Sequence, residues 1–118
     1  MTMTYDPENI FARILRGDIP NKTVAETAHT LAFHDIAPHA PHHVLVIPKG
    51  PYVDFADFAA HASVEEITDF HRTAAQICEG LGEGYRTISN SGGHGGQEVP
   101  HYHLHILGGR PLGPMLTR

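Results

Sequence analysis

The chain has little of what would place a protein outside the cell, in a membrane or on nucleic acid. A single cysteine, Cys78, among 118 residues leaves no internal disulfide and no CxxC metal site. Tryptophan is missing altogether. No apolar run approaches the roughly 18 residues that a membrane-spanning helix needs. The opening stretch MTMTYDPENIF has neither a basic region nor a long apolar run, so no signal peptide is expected. Basic residues are outnumbered, 8 Lys and Arg against 13 Asp and Glu, giving a formal net charge of -5. A nucleic-acid-binding module normally shows a basic face, and a field of this sign does not draw anions. A phosphate-bearing ligand would have to be held by local donors. The expectation is a reduced cytoplasmic protein with no nucleic-acid or membrane partner.

Length and patterning point to one domain spanning 1–118. The spacing of Ile10, Phe11, Ile14 and Leu15 predicts a short helix over 7–16, with Asp6 as its cap and Pro7 in its first turn. Residues 23–27 and 30–34 read as a hairpin, and 43–47 as an apolar strand that ends at Pro48. Ser63 and Glu66 form a capping box that opens one long helix over 64–81. Its stripe is Ile67, Phe70, Ala74, Ile77 and Leu81. A strand over 85–89, a glycine-rich loop over 90–96 and a last strand over 99–107 follow. Two helices and about five strands, mostly sequential neighbours, predict an α+β fold on an antiparallel sheet.

Histidine is what the chain has in excess: 11 residues. Three of them, His101, His103 and His105, alternate along the last predicted strand. Strand side chains alternate faces, so all three share one face, while Tyr102, Leu104 and Ile106 share the core face. The histidine face is expected to point outward and to add little to the core.

Three readings of this row compete. It could be a solvated strand face that happens to be imidazole, although Thr, Lys and Glu are the usual residues there. It could bind a metal, since histidine is the commonest ligand. However, His101 and His105 lie roughly 13 Å apart along a straight strand, too far to close on one ion with nitrogens at about 2 Å. It could be catalytic: neutral imidazole is a nucleophile at pH 7, and imidazolium can protonate or stabilise phosphoryl oxygens. The glycine amides of 90–96, just upstream, could approach an anion closely.

The stretch from Asn90 to Arg110, NSGGHGGQEVPHYHLHILGGR, resembles the signature of the histidine triad superfamily. More narrowly, it resembles that of its nucleotide-binding Hint branch. FHDIAPHAPHHVLVIPK over 33–49 and the opening segment from Ile10-Phe11 to Ile19-Pro20 extend the resemblance along nearly the whole chain. It implies a five-stranded antiparallel sheet with one long and one short helix. It also implies a homodimer in which two such sheets pair, with the long helix at the interface.

The implied activity is hydrolysis of bonds to the phosphorus of purine nucleoside monophosphates such as AMP and GMP, with no cofactor or metal. On that resemblance His103 is the nucleophile, forming a nucleotidyl-histidine. His101 and His105 orient it and stabilise charge, and His43 is a fourth, supporting histidine. Asp35 binds the ribose hydroxyls. Phe33, His34, Ile36, Ile10, Phe11 and Ile14 line the base pocket. Asn90, Gly96 and Gln97 contact the sugar or phosphate, and Glu98 and Val99 complete the nucleotide-binding set. On sequence alone, Ile10, Phe11 and Ile14 read sooner as plain core than as a pocket wall. Glu98 stands where eukaryotic members of the branch carry serine. A carboxylate there repels a phosphate if it points inward and attracts a cationic leaving group. The tail also lacks the tryptophan usual in the branch.

The implied substrates are nucleoside phosphoramidates. A dinucleoside polyphosphate hydrolase, a nucleotide-binding scaffold with little turnover and a metal-binding protein are the competing readings.

Overall fold

The structure, a computed structural model, describes residues 4–116. In chain order its elements are α1 (Ile10–Leu15), β1 (Thr23–Glu26), β2 (Thr30–His34), β3 (His42–Pro48), α2 (Phe55–His61), α3 (Val64–Glu79), β4 (Tyr85–Ile88) and β5 (Leu104–Gly108). The strands form one five-stranded sheet in the order β1-β2-β3-β5-β4, antiparallel at every step. The last strand thus inserts beside β3 and brings the histidine-bearing end of the chain to the middle of the sheet.

Period two then sorts the apolar residues into two cores. Ala32, Val44, Val46 and Ile106 face α2 and α3, against Phe58, Phe70, Ala74 and Cys78. Leu31, Phe33, Leu45 and Ile47 face the other way, against Phe11 and Ile14 of α1. Because β2 and β3 are covered on both faces, they read as near-continuous apolar runs. Tyr102 sits in the first core within a trio of rings, its centroid 5.1 Å from Phe58 and 5.2 Å from Phe70. A buried aromatic contributes about 1.5–3 kcal/mol. Anchoring Tyr102 on this side turns His101 and His103 to the opposite one.

Several boundaries differ from expectation. α1 begins at Ile10, because Asn9 and not Asp6 is its cap: the Asn9 side chain accepts from the Ala12 N–H at 2.9 Å. Asp6 instead builds a turn ahead of the helix, accepting the Glu8 N–H on its carboxylate and the Asn9 N–H on its carbonyl. A third helix, α2, is present where none is expected. It is seven residues long and buries only Phe58, so it leaves no stripe to read. The capping box of α3 is formed as expected. The helix ends at Glu79, with Gly80 as its cap.

The most consequential difference is at β5. Its pairing starts at Leu104, so His101 and His103 precede the ladder. Pro100 has no N–H to give, and the Tyr102 N–H goes to the Tyr52 carbonyl at 2.7 Å. The histidine face does not point outward either. α1 and the segment before it cover that face, leaving His101 0% and His103 6% exposed.

Candidate active site

The site forms where α1, the loop after β2, the glycine loop and the lead-in to β5 converge. They enclose a pocket of about 510 Å³. One side is apolar, with Phe11, Ile14, Phe33 and Leu45. The other carries Asp35, His103 and His105. Ile10, His34, Ile36, Asn90, Gly96, Glu98 and Val99 also reach its wall. Phe11 and Ile14 thus serve as core and pocket wall at once. Ile36 is 94% exposed, an isoleucine at the rim with nothing over it in the protomer.

Gln97 is placed differently from expectation. It is buried, its Oε1 accepts the Gly92 N–H, and its Nε2 donates to the carbonyls of Val53 and Val99. All its polar atoms serve the backbone. It shapes the glycine loop and takes no part in the pocket wall. Gly95 is tied to that shape as well, because a Cβ there would collide with the Ser91 carbonyl.

The four histidines lie side by side, and hydrogen bonds fix the tautomer of each neutral ring. A carbonyl can only accept, so a ring nitrogen beside one must carry the proton. His103 Nδ1 lies 2.7 Å from the His101 carbonyl and therefore donates to it. The lone pair of His103 is left on Nε2. His101 Nε2 donates to the Pro48 carbonyl at 2.8 Å, and its Nδ1 accepts from the Tyr5 hydroxyl at 2.9 Å.

His43 is held in the sense opposite to His103. Its Nδ1 accepts the His39 N–H at 3.0 Å, which puts its proton on Nε2. Nε2 donates to His105 Nδ1 at 2.9 Å and lies 3.4 Å from Asp35 Oδ2. His105 consequently carries its proton on Nε2. Alternation along β3 buries His43 and exposes His42, which answers which of the two faces the site.

Burial holds these rings neutral at pH 7. It lowers His101 to about 4. It also lowers His105 to about 4, with the neighbouring His103 and His43 adding to the effect. His43 is lowered by burial against the pull of Asp35. His103 is lowered by burial too, against its hydrogen bond to the His101 carbonyl and the charges of Asp35 and Glu98, which raise it. A neutral His103 with a free Nε2 lone pair is a nucleophile, and a neutral His105 with an Nε2–H is a donor. The fixed proton on His43 also bears on metal binding. Asp35, His43 and His105 bring ligand atoms within 4.8 Å of one another. As hydrogen-bonded, however, His43 offers that point an N–H and no lone pair, so a cation would first have to break the His39 bond.

The model of the HIT domain family matches residues 16–112, and the row of alternating histidines lies within that match. The chain belongs to the HIT domain family. It is a histidine triad hydrolase of the α+β HIT fold. An uncharacterised 13.2 kDa HIT-like protein of Azospirillum brasilense is 56% identical over 121 residues, covering 100% of this chain and 99% of that protein. The purine nucleoside phosphoramidase of Escherichia coli K12 is 45% identical over 113 residues, 93% of this chain and 94% of that enzyme. Among solved structures, a histidine triad protein from Clostridium difficile superposes with a TM-score of 0.81 at 36% identity, covering 96% of this chain and 100% of that one.

Sequence reading missed two contributors to the HIT site. Tyr5 is a lone aromatic 96 residues from the ring it bonds, and no pattern marks it. His39 acts through its backbone N–H, which no side-chain motif could reveal.

Proposed function

We infer that the chain hydrolyses purine nucleoside phosphoramidates, releasing the nucleoside monophosphate through a nucleotidyl-His103 intermediate. The observation that carries this reading is the His103 Nδ1–H bond to the His101 carbonyl, which leaves Nε2 as a free lone pair on a ring lining the pocket. In the first step Nε2 bonds to phosphorus as the P–N bond breaks, and the leaving nitrogen takes a proton from solvent and departs as the amine. The His105 Nε2–H, at the end of the His39–His43–His105 chain, donates to a phosphoryl oxygen as charge builds there. In the second step water attacks the phosphorus and gives up a proton to solvent, the P–Nε2 bond breaks, the nucleotide leaves and His103 is regenerated as neutral imidazole. The apolar side of the pocket, with Phe11, Ile14, Phe33 and Leu45, takes the base, and Asp35 takes the ribose hydroxyls. The purine class comes by similarity to the Escherichia coli phosphoramidase.

The charge of the pocket favours this substrate over a dinucleoside polyphosphate. Among the described residues on its wall there are two carboxylates, Asp35 and Glu98, and neither Lys nor Arg. Such a wall suits a monoanionic phosphoramidate better than a chain of phosphates. The family resemblance further implies a homodimer joined along the sheets. β4 lies at one edge of the strand order, which leaves it a side to pair. The deciding experiment is a rapid-quench mass spectrum of the protein mixed with an adenosine phosphoramidate. The expected result is an adduct of AMP mass on the peptide containing His103. Bound AMP with neither adduct nor released product would leave only a nucleotide-binding module.

A further inference from the structure

The lead-in to β5 raises a problem of precision. His103 lies outside the strand ladder, which begins one residue later. Its Nδ1–H is hung on the carbonyl of His101, and that residue is outside the ladder as well. Among the described residues the main-chain amides here make two bonds outside any ladder, from the His101 N–H to the nearby Val99 carbonyl and from the Tyr102 N–H to the Tyr52 carbonyl. A nucleophile must be held to within fractions of an ångström, so further anchors are needed.

His101 supplies one through its side chain, which is 0% exposed and bonded at both nitrogens. Its Nε2–H reaches the Pro48 carbonyl on β3. Its Nδ1 is a buried acceptor, and its donor is the hydroxyl of Tyr5, whose ring centroid lies 5.6 Å from that of His101. A buried acceptor with no donor is costly, and a ring that flipped would set a C–H against the hydroxyl. The same N-terminal segment continues into α1 and delivers Phe11 edge-on to His103, centroids 5.0 Å apart.

We propose that Tyr5 is a positioning residue for the reaction: its hydroxyl locks His101 in one tautomer and orientation and, through the His101 carbonyl, sets where His103 presents Nε2. This rests on the hydrolase reading above. Tyr5 is not among the residues lining the nucleotide pocket, so its effect falls on turnover and not on binding.

The test is Tyr5→Phe, which keeps the ring and removes only the donor. With an adenosine phosphoramidate, kcat falls by about five- to thirtyfold while KM changes less than about twofold. Nitrogen-15 spectra of the histidine rings report the cause. In the variant His101 Nδ1 loses the signature of a hydrogen-bonded acceptor, and His103 Nδ1 shifts with it. A variant with kcat within about twofold of wild type and an unchanged His103 signal would overturn the proposal, whatever its melting temperature, because Tyr5 would then be structural only. The spectra need no turnover. If the wild-type protein forms no adduct, the proposed reaction through nucleotidyl-His103 falls by itself, and the coupled shifts of His101 and His103 still decide whether Tyr5 positions the row.

Discussion

His101–His103 and His43–His105 are two pairs of the same side chain, a few ångströms apart, held by different main-chain groups. In the first pair, main-chain carbonyls take the ring protons: His101 gives to Pro48, and His103 gives to His101. In the second, a main-chain N–H gives to a ring, from His39 to His43, and His43 gives its own Nε2–H to His105. A ring that gives at Nδ1 keeps a lone pair at Nε2. A ring that receives at Nδ1 keeps a proton at Nε2. His103 and His105, two residues apart, therefore present the pocket with opposite chemistry. Backbone geometry, and not residue type, decides which ring offers the pocket a lone pair and which a proton.

Truncation breaks this comparison most strongly. With His103 as the proposed nucleophile, His103→Ala removes the bond-forming atom, and kcat should fall by roughly a thousandfold or more. His105→Ala removes one donor to developing charge and costs about a hundredfold. Single-turnover assays on both variants check the order. Equal losses would mean that the two rings share one role. His103→Ala also destabilises the fold, contrary to the expectation for an outward-facing residue. The ring is buried against Phe11, and its loss strands the His101 carbonyl without its donor, at a cost of about 1–3 kcal/mol in thermal unfolding.

Acid should loosen both pairs. In the folded protein His101 titrates near 4, well below the ordinary value of 6.5. Between those values the unfolded chain binds the proton and the folded chain does not. Stability therefore rises with pH across this window and is lost as pH falls through it. His101 alone removes roughly 3 kcal/mol by pH 4. Denaturant midpoints taken between pH 7 and pH 4 check this. His101→Asn, whose amide has no proton to gain there, should flatten the dependence. An unchanged slope would place the acid sensitivity elsewhere.

How much of this was legible depended on whether a signal lies in side-chain periodicity. The sheet, the long helix with its capping box and the alternation of His101, His103 and His105 are periodic and could be read. The expected strand over 99–107 carried alternation past the point where Pro100 denies the ladder an N–H, so the row looked like an exposed strand face. Its burial depends on α1 packing across it, a tertiary fact with no local mark. α2 was invisible because Phe58 alone anchors it. The tautomers were beyond reach, because three of the four depend on main-chain carbonyls and amides that every sequence possesses. Gln97 was assigned to the sugar or phosphate by resemblance, whereas its amide is spent bracing the loop that carries Gly96 to the pocket wall.

Glu98 offers the smallest and most selective perturbation of the nucleophilic half. It is exposed on the pocket wall, and its charge is one of the influences that raise His103 against the lowering by burial. Glu98→Gln removes that influence, so the acid limb of the kcat/KM profile should move to lower pH. An exposed carboxylate is well screened, and the movement should be small. The same substitution should alter leaving-group selection. Phosphoramidates of equal length that end in an ammonium or a carboxylate would differ in kcat/KM by about two- to fivefold in the wild-type protein, the ammonium being favoured. In Glu98→Gln that ratio should shrink toward one, and in 0.5 M salt it should shrink in the wild type as well, where the Debye length is only about 4 Å. A ratio indifferent to both salt and substitution would mean that Glu98 turns away from the leaving group, and that the charge of the wall is set by Asp35, beside the His43–His105 pair.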